Sequence, residues 1–178
     1  FTSTMNTLTW TGATGAWDFA AGNWESSAQF YHLDNVIFTD DATTTAVTLA
    51  SGVTVLPNTI TVNNPTQAYS ISGAGSIGGG ASLTKDGAGT LTVTSANSFT
   101  GGITLSGGTL AMSTAGFGSA TSFSMSDGTA FSASSVAAMT VATNASISGN
   151  VTLGDGTNYG AITLTGNHTF ANNTDISV

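Results

Sequence analysis

The sequence predicts an all-β solenoid, a coil of short strands. Three observations point there. Many segments of about four or five residues alternate apolar with polar side chains, Gly, Asn and Asp punctuate them at close spacing, and several share one internal register. Composition agrees: charged residues are 6 %, Gly numbers 23 of 178, and Thr, Ser and Asn fill much of the remainder. Gly, Thr, Ser and Asn are poor helix formers, whereas Thr, Val, Ile and Phe suit strands, so almost no helix is expected. A hydrophobic content of 40 % is too high for a chain that stays solvated, and the length suffices for one core.

The chain changes texture near Thr39 to Thr45. Residues 1–44 form an aromatic-rich N-terminal region holding Trp10, Trp17, Trp24, Phe19, Phe30, Tyr31 and Phe38. Residues 45–178 form the repeat region, read as a single structural unit. Its expected strands are Ala46 to Ala50, Val53 to Leu56, Thr59 to Val62, Tyr69 to Ser72, Ser82 to Lys85, Thr90 to Thr94, Ile103 to Ser106 and Thr109 to Met112. They continue as Ser122 to Ser126, Ala130 to Ala133, Met139 to Ala142, Ser146 to Ser148, Val151 to Leu153, Ala161 to Thr165 and His168 to Ala171.

Repetition separates a coil from other all-β folds. Gly89-Thr90-Leu91-Thr92-Val93, Gly102-Ile103-Thr104-Leu105 and Gly108-Thr109-Leu110 share a register with Asn150-Val151-Thr152-Leu153 and Gly160-Ala161-Ile162-Thr163-Leu164. At roughly 20 residues per turn the repeat region makes about six or seven rungs, with Leu, Ile, Val and Phe inward and Thr and Ser outward. The alternative is a β-sandwich, since Asp127-Gly128 and Asn150 sit where hairpin turns would be written.

One stretch carries a family resemblance. Leu83 to Leu110 reads L-T-K-x-G-x-G-T-L-T, then Asn97 with Phe99 two residues later, Thr100-Gly101-Gly102, and a closing Gly107-Gly108-Thr109-Leu110. It resembles the autotransporter-associated β-strand repeat, also called the passenger-associated transport repeat. The resemblance implies a right-handed parallel β-helix in a secreted bacterial surface protein. Trp10-x-Gly12, Trp17-Asp18, Asn23-Trp24 and Asp34-x-Val36-x-Phe38 are similar to segments that precede such repeats. One clear copy of the repeat is present, and within 178 residues a C-terminal membrane barrel is not expected.

Charge narrows the partners. The net charge is −8 with one base, Lys85, which removes the basic footprint that nucleic acid or an anionic membrane would require. No apolar run reaches spanning length, so membrane insertion is not expected. No cysteine is present, which excludes disulfides and thiolate metal sites.

The residues that could carry chemistry also have plainer uses. Lys85, inside the repeat, is expected to be conformational or solubilising. Asp34, Asp40 and Asp41 could donate to Ca²⁺, although no calcium-loop spacing surrounds them. His32 and His168 are expected at the surface or in turns, without catalytic or metal-ligand spacing. Gly73-Ala74-Gly75-Ser76-Ile77-Gly78 fits a dinucleotide fingerprint formally but leads into a Gly-rich turn. No enzyme activity and no cofactor are expected. The N-terminal aromatics could stack on sugars, but their commoner use is to cover the open end of a coil.

The function expected is therefore a structural subunit of an extracellular bacterial filament or surface layer. Its partner would be itself, joined head to tail through terminal strands or solenoid ends, with Phe1, Thr2, Met5, Leu8, Thr169, Phe170, Ile176 and Val178 as the assembly residues. The alternative is a passenger-type adhesin or glycan-binding fragment of a larger surface protein. A polysaccharide-degrading enzyme would need clustered acids and bases. Ice binding would need a flat Thr array continuing from Thr90, Thr92 and Thr94.

Overall fold

A computed structural model describes residues 5–154 and 160–178. Its strands in chain order are β1 (Thr7–Thr9), β2 (Asn35–Thr39), β3 (Ala46–Leu49), β4 (Thr54–Val55), β5 (Thr59–Asn63), β6 (Tyr69–Gly73), β7 (Ser76–Ile77), β8 (Ser82–Asp86), β9 (Thr90–Val93) and β10 (Ile103–Leu105). They continue with β11 (Thr109–Met112), β12 (Phe123–Met125), β13 (Thr129–Ala133), β14 (Met139–Val141), β15 (Ala145–Ile147), β16 (Asn150–Leu153), β17 (Ile162–Leu164), β18 (His168–Phe170) and β19 (Asp175–Ser177). Among the described residues the only helical element is a three-residue 3₁₀ turn, Glu25–Ser27.

Every strand ladder is parallel, and consecutive strands in a sheet come from consecutive turns of a coil. One sheet runs β1-β2-β5-β8-β10-β12-β15-β18, and a second runs β3-β6-β9-β11-β13-β16-β19. A third, broken face holds the pairs β4-β7 and β14-β17. The register partners of Val36 are Ile60, Leu83, Ile103, Phe123, Ala145 and His168 in turn, an advance of 20 to 24 residues per rung. The chain is a parallel β-solenoid of about six turns.

These ladders overturn the β-sandwich alternative. The turn signals at Asp127-Gly128 and Asn150 join stacked rungs and close no hairpin: Asn150 N–H donates to Asp127 Oδ1 at 2.7 Å, and Gly128 N–H donates to the Asn150 carbonyl at 2.7 Å. Gly128 serves this turn through its backbone conformation, φ +74°, since a Cβ there would meet nothing within 4 Å.

Strand parity decides what is buried. In the first sheet, Leu8, Val36, Ile60, Leu83, Ile103, Phe123 and Ala145 form one inward column, and Phe38, Val62, Leu105, Met125 and Ile147 occupy a second. Between these columns the outward row reads Thr9, Ile37, Thr61, Thr84, Thr104, Ser124, Ser146 and Thr169, a single file of hydroxyls broken once. On the second sheet Thr90 and Thr92 pair with Thr109 and Ala111, so the Thr array required for ice binding does not continue there.

The N-terminal aromatics fill the first end of this core. Trp10, Trp17, Trp24, Phe30 and Phe38 are all buried and meet mainly edge to face, with ring centroids 5.1 to 6.1 Å apart. Trp10 Nε1 donates to the Thr44 carbonyl at 2.8 Å. Buried Asn23 fixes the loop around them, accepting from Thr14 N–H at 2.6 Å and donating to the Ala16 carbonyl at 2.6 Å. Burial of five large rings against a β-rung is why the segment packs as an end-cover. Trp17→Ala should lower stability by about 3–5 kcal/mol in denaturant titration, with red-shifted emission from the remaining tryptophans; a loss below about 1 kcal/mol would contradict the packing.

Candidate functional site

The residues that distinguish this coil lie in its fourth and fifth strand rows, β8 to β11. Lys85 sits on β8 in the inward column, between Val62 and Leu105, and is 0 % exposed. Its ammonium donates to three carbonyls: Asp86 at 2.8 Å and Gly87 at 2.8 Å on its own rung, and Gly107 at 3.2 Å on the next. A buried charge is tolerated only when its donors are spent, and here all three protons have acceptors. Lys85 is therefore a conformational clamp between two coil corners; the solubilising role is excluded by its burial. The signal is present in the sequence, since Leu83 and Lys85 have the same strand parity.

The glycines beside it follow from the same stacking. Gly87 has φ +77°, and a Cβ there would lie 2.7 Å from the Asn64 carbonyl carbon of the preceding corner. Asn97 performs a comparable task on the third face. Its Oδ1 accepts from Ile77 N–H at 3.0 Å and from Ser95 Oγ at 3.0 Å, and its Nδ2 donates to the Gly116 carbonyl at 2.9 Å. One amide thus joins three successive turns, with the Phe99 ring buried beside it.

Lys85, Gly87, Asn97, Phe99 and the Gly107-Gly108 corner all fall inside one family match. Residues 83–112 match the passenger-associated-transport-repeat family. The repeat thus covers 30 of the 178 residues, and it implies a passenger-domain-like surface protein built on a β-helix. Such repeats are found in autotransporter passenger domains, which are secreted to the cell surface. No curated protein and no solved structure matches the chain significantly.

The expected assembly residues fall at the two ends. Phe1 and Thr2 lie outside the described residues. Met5 is exposed, whereas Leu8 is buried on β1 in the inward column with Val36. At the other end Thr169, Phe170, Ile176 and Val178 are all exposed, with Phe170 at 49 % and Ile176 at 36 %. Phe170 continues the inward column after Ile147, and Ile176 stacks on Val151, so both stand at inward register positions.

The structure does not gather the acidic or histidine candidates. Asp34 is buried, and its carboxylate accepts N–H from Asn6 at 3.0 Å and from Tyr31 at 2.9 Å. Asp40 accepts from the Thr66 hydroxyl at 2.6 Å and from Thr66 and Gln67 N–H at 2.8 and 3.1 Å; the Thr66 hydroxyl bond holds its carboxyl below the usual range. Asp41 is exposed, and among the described residues no three acidic or histidine side chains converge as a metal cluster. His32 lies in a turn as expected, but His168 belongs to β18, where parity turns it inward and leaves both ring nitrogens buried without partners. The fingerprint-like glycines Gly73 to Gly78 form the corner leading into β7, with no helix after them.

Burial pushes the Lys85 pKa down to about 8, partly offset by the charge of Asp86. The unfolded chain keeps an ordinary lysine near 10.5, so between about pH 8 and 10 it binds more protons than the folded state. Stability should rise with pH across that window. Above pH 10 Tyr69, pushed up to about 12 by burial and then by Asp40 and Asp41, acts in the opposite sense. As the chain has one lysine, its ¹⁵Nζ signal is unambiguous and should titrate near 8; a midpoint at the ordinary value would contradict the buried clamp. Lys85→Met should destabilise the fold by about 1–3 kcal/mol in denaturant titration, because three carbonyls lose a donor.

Proposed function

We propose that the chain is a non-catalytic structural rod of the bacterial cell surface that assembles head to tail with copies of itself. The observation that carries this reading is the in-register parallel stacking of the first sheet, in which every strand from β2 to β15 pairs with one strand on each side. A parallel coil of this kind can continue from one copy into the next, and such a heterologous contact propagates as a fibre. Phe170 and Ile176 supply apolar area that a further rung would cover.

The non-catalytic part of the proposal is supported by chemistry. The one basic side chain is buried and bonded to carbonyls, and the acids Asp34 and Asp40 are engaged in holding turns. The same lack of surface cations disfavours nucleic acid as a partner. No helix among the described residues is long and apolar enough to cross a membrane.

A second reading is display as a passenger-type adhesin module within a larger surface polypeptide. The match over residues 83–112 and the sealed aromatic end favour it, since further rungs of one polypeptide would cover the C-terminal rung equally well.

Negative-stain electron microscopy and size-exclusion chromatography of the chain, beside a variant lacking Thr169 to Val178, separate these readings. Thin uniform fibres or ladders of oligomers that vanish on truncation are expected for self-assembly. A monodisperse monomer in both samples would overturn it and leave the module reading.

A further inference from the structure

The N-terminal aromatics divide into two sets, and only one of them covers the core. Trp10, Trp17, Trp24, Phe30 and Phe38 are buried, whereas Phe19 is 38 % exposed and Tyr31 is 59 % exposed. Covering the solenoid end explains the first set and leaves the second unexplained. Phe19 and Tyr31 are also tied into one cluster. Gln29 accepts from the Tyr31 hydroxyl at 3.1 Å and donates to the Ala20 carbonyl, next to Phe19, at 3.1 Å. The Phe19 ring stacks on buried Phe30 at 6.0 Å and meets the His32 ring edge to face at 4.8 Å.

His32 is oriented as well as placed. Its Nδ1 accepts the Leu56 N–H at 3.2 Å, so the neutral ring carries its proton on Nε2 as a free donor. Behind the cluster, the turn from Tyr31 to Asp34 is held by Tyr31 N–H on the Asp34 carboxylate and by Asp34 N–H on the Tyr31 carbonyl at 3.2 Å. Within that turn Leu33 has φ +73° while 54 % exposed. A bulky L-residue rarely adopts that conformation.

Rigid aromatic faces, flanked by an amide, a phenol and an imidazole donor, match a sugar ring, which offers a face of C–H groups and a rim of hydroxyls. Charge narrows the sugar. The single Lys or Arg of the chain is buried, so its surface has no lysine or arginine side chain with which to attract an anion, at a net charge of −8. We propose that Phe19, Gln29, Tyr31 and His32, with Leu33 at the rim, form a binding patch for neutral saccharides. The patch belongs to the N-terminal cover, where Asp34 bonds both Tyr31 and Asn6, and its saccharide test is independent of the self-assembly test.

The test uses the full chain against dextran, laminarin and chitotetraose, with dextran sulfate as the anionic probe, followed by saturation-transfer NMR and titration. Phe19→Ala and Tyr31→Ala change exposed rings, and Val136→Ala changes an exposed apolar residue outside the patch; circular dichroism checks the fold of each. At least one neutral saccharide should bind, each aromatic variant should weaken it by about tenfold, and Val136→Ala should leave it unchanged. Absence of binding by all three neutral probes at millimolar concentration would overturn the proposal. So would binding that both aromatic variants retain, or a preference for dextran sulfate. Should Phe19→Ala disturb the cap through Phe30, Tyr31→Ala, whose ring lies outside that stack, still decides the matter.

Discussion

Everything in this chain follows from stacking like on like. In a parallel coil each strand bonds to the strand one turn before and one turn after, about 4.8 Å away, so a side chain at a given position lies directly over its counterpart on the next rung. Small uncharged residues tolerate that repetition, whereas a column of carboxylates or ammoniums would repel itself. The hydroxyl file from Thr9 to Thr169 and the 6 % charge content are two expressions of one constraint. Apolar residues in the alternate positions form continuous columns for the same reason, and at Gly87 one corner rests so closely on another that a Cβ would meet the Asn64 backbone.

Lys85 is the informative departure. It interrupts a column of Phe38, Val62, Leu105, Met125 and Ile147, and it is stable there because the two corners it joins present three carbonyls to its ammonium. Asn97 fastens the third face in a similar way, where strands are too short to make a long ladder. The two residues together explain how a regular coil passes through the corners of the stretch matched by the family. An inward His168 has no such partners, and it stands in the last rung, where the core is already half open to water.

Much of this is legible in the amino-acid sequence alone. The alternation of Thr90 to Val93, Ile103 to Leu105 and Thr109 to Met112 sets strands and faces together, because period two survives whatever the neighbours are. Less legible are the short strands: Ser76–Ile77 is hidden among glycines, and Asp175–Ser177 is a strand only because β16 supplies its partner. Burial of Lys85 runs against the usual exposure of lysine, although its parity with Leu83 carries the signal. Residue types alone also cannot divide the N-terminal aromatics into a buried cover and an exposed cluster, since that division depends on which way a loop with no regular period turns.

All of these assignments rest on the in-register parallel coil, and the absence of cysteine makes that coil directly testable. Thr104 and Ser124 face outward and are register partners on β10 and β12. A Thr104→Cys, Ser124→Cys variant should therefore close a disulfide on mild oxidation, because neighbouring strands bring Cα atoms within bonding range. Thr104→Cys with Ser126→Cys, offset by two residues, should not. Efficient closure of the first pair alone is the predicted result; failure of that pair, or equal closure of both, would contradict the stacking.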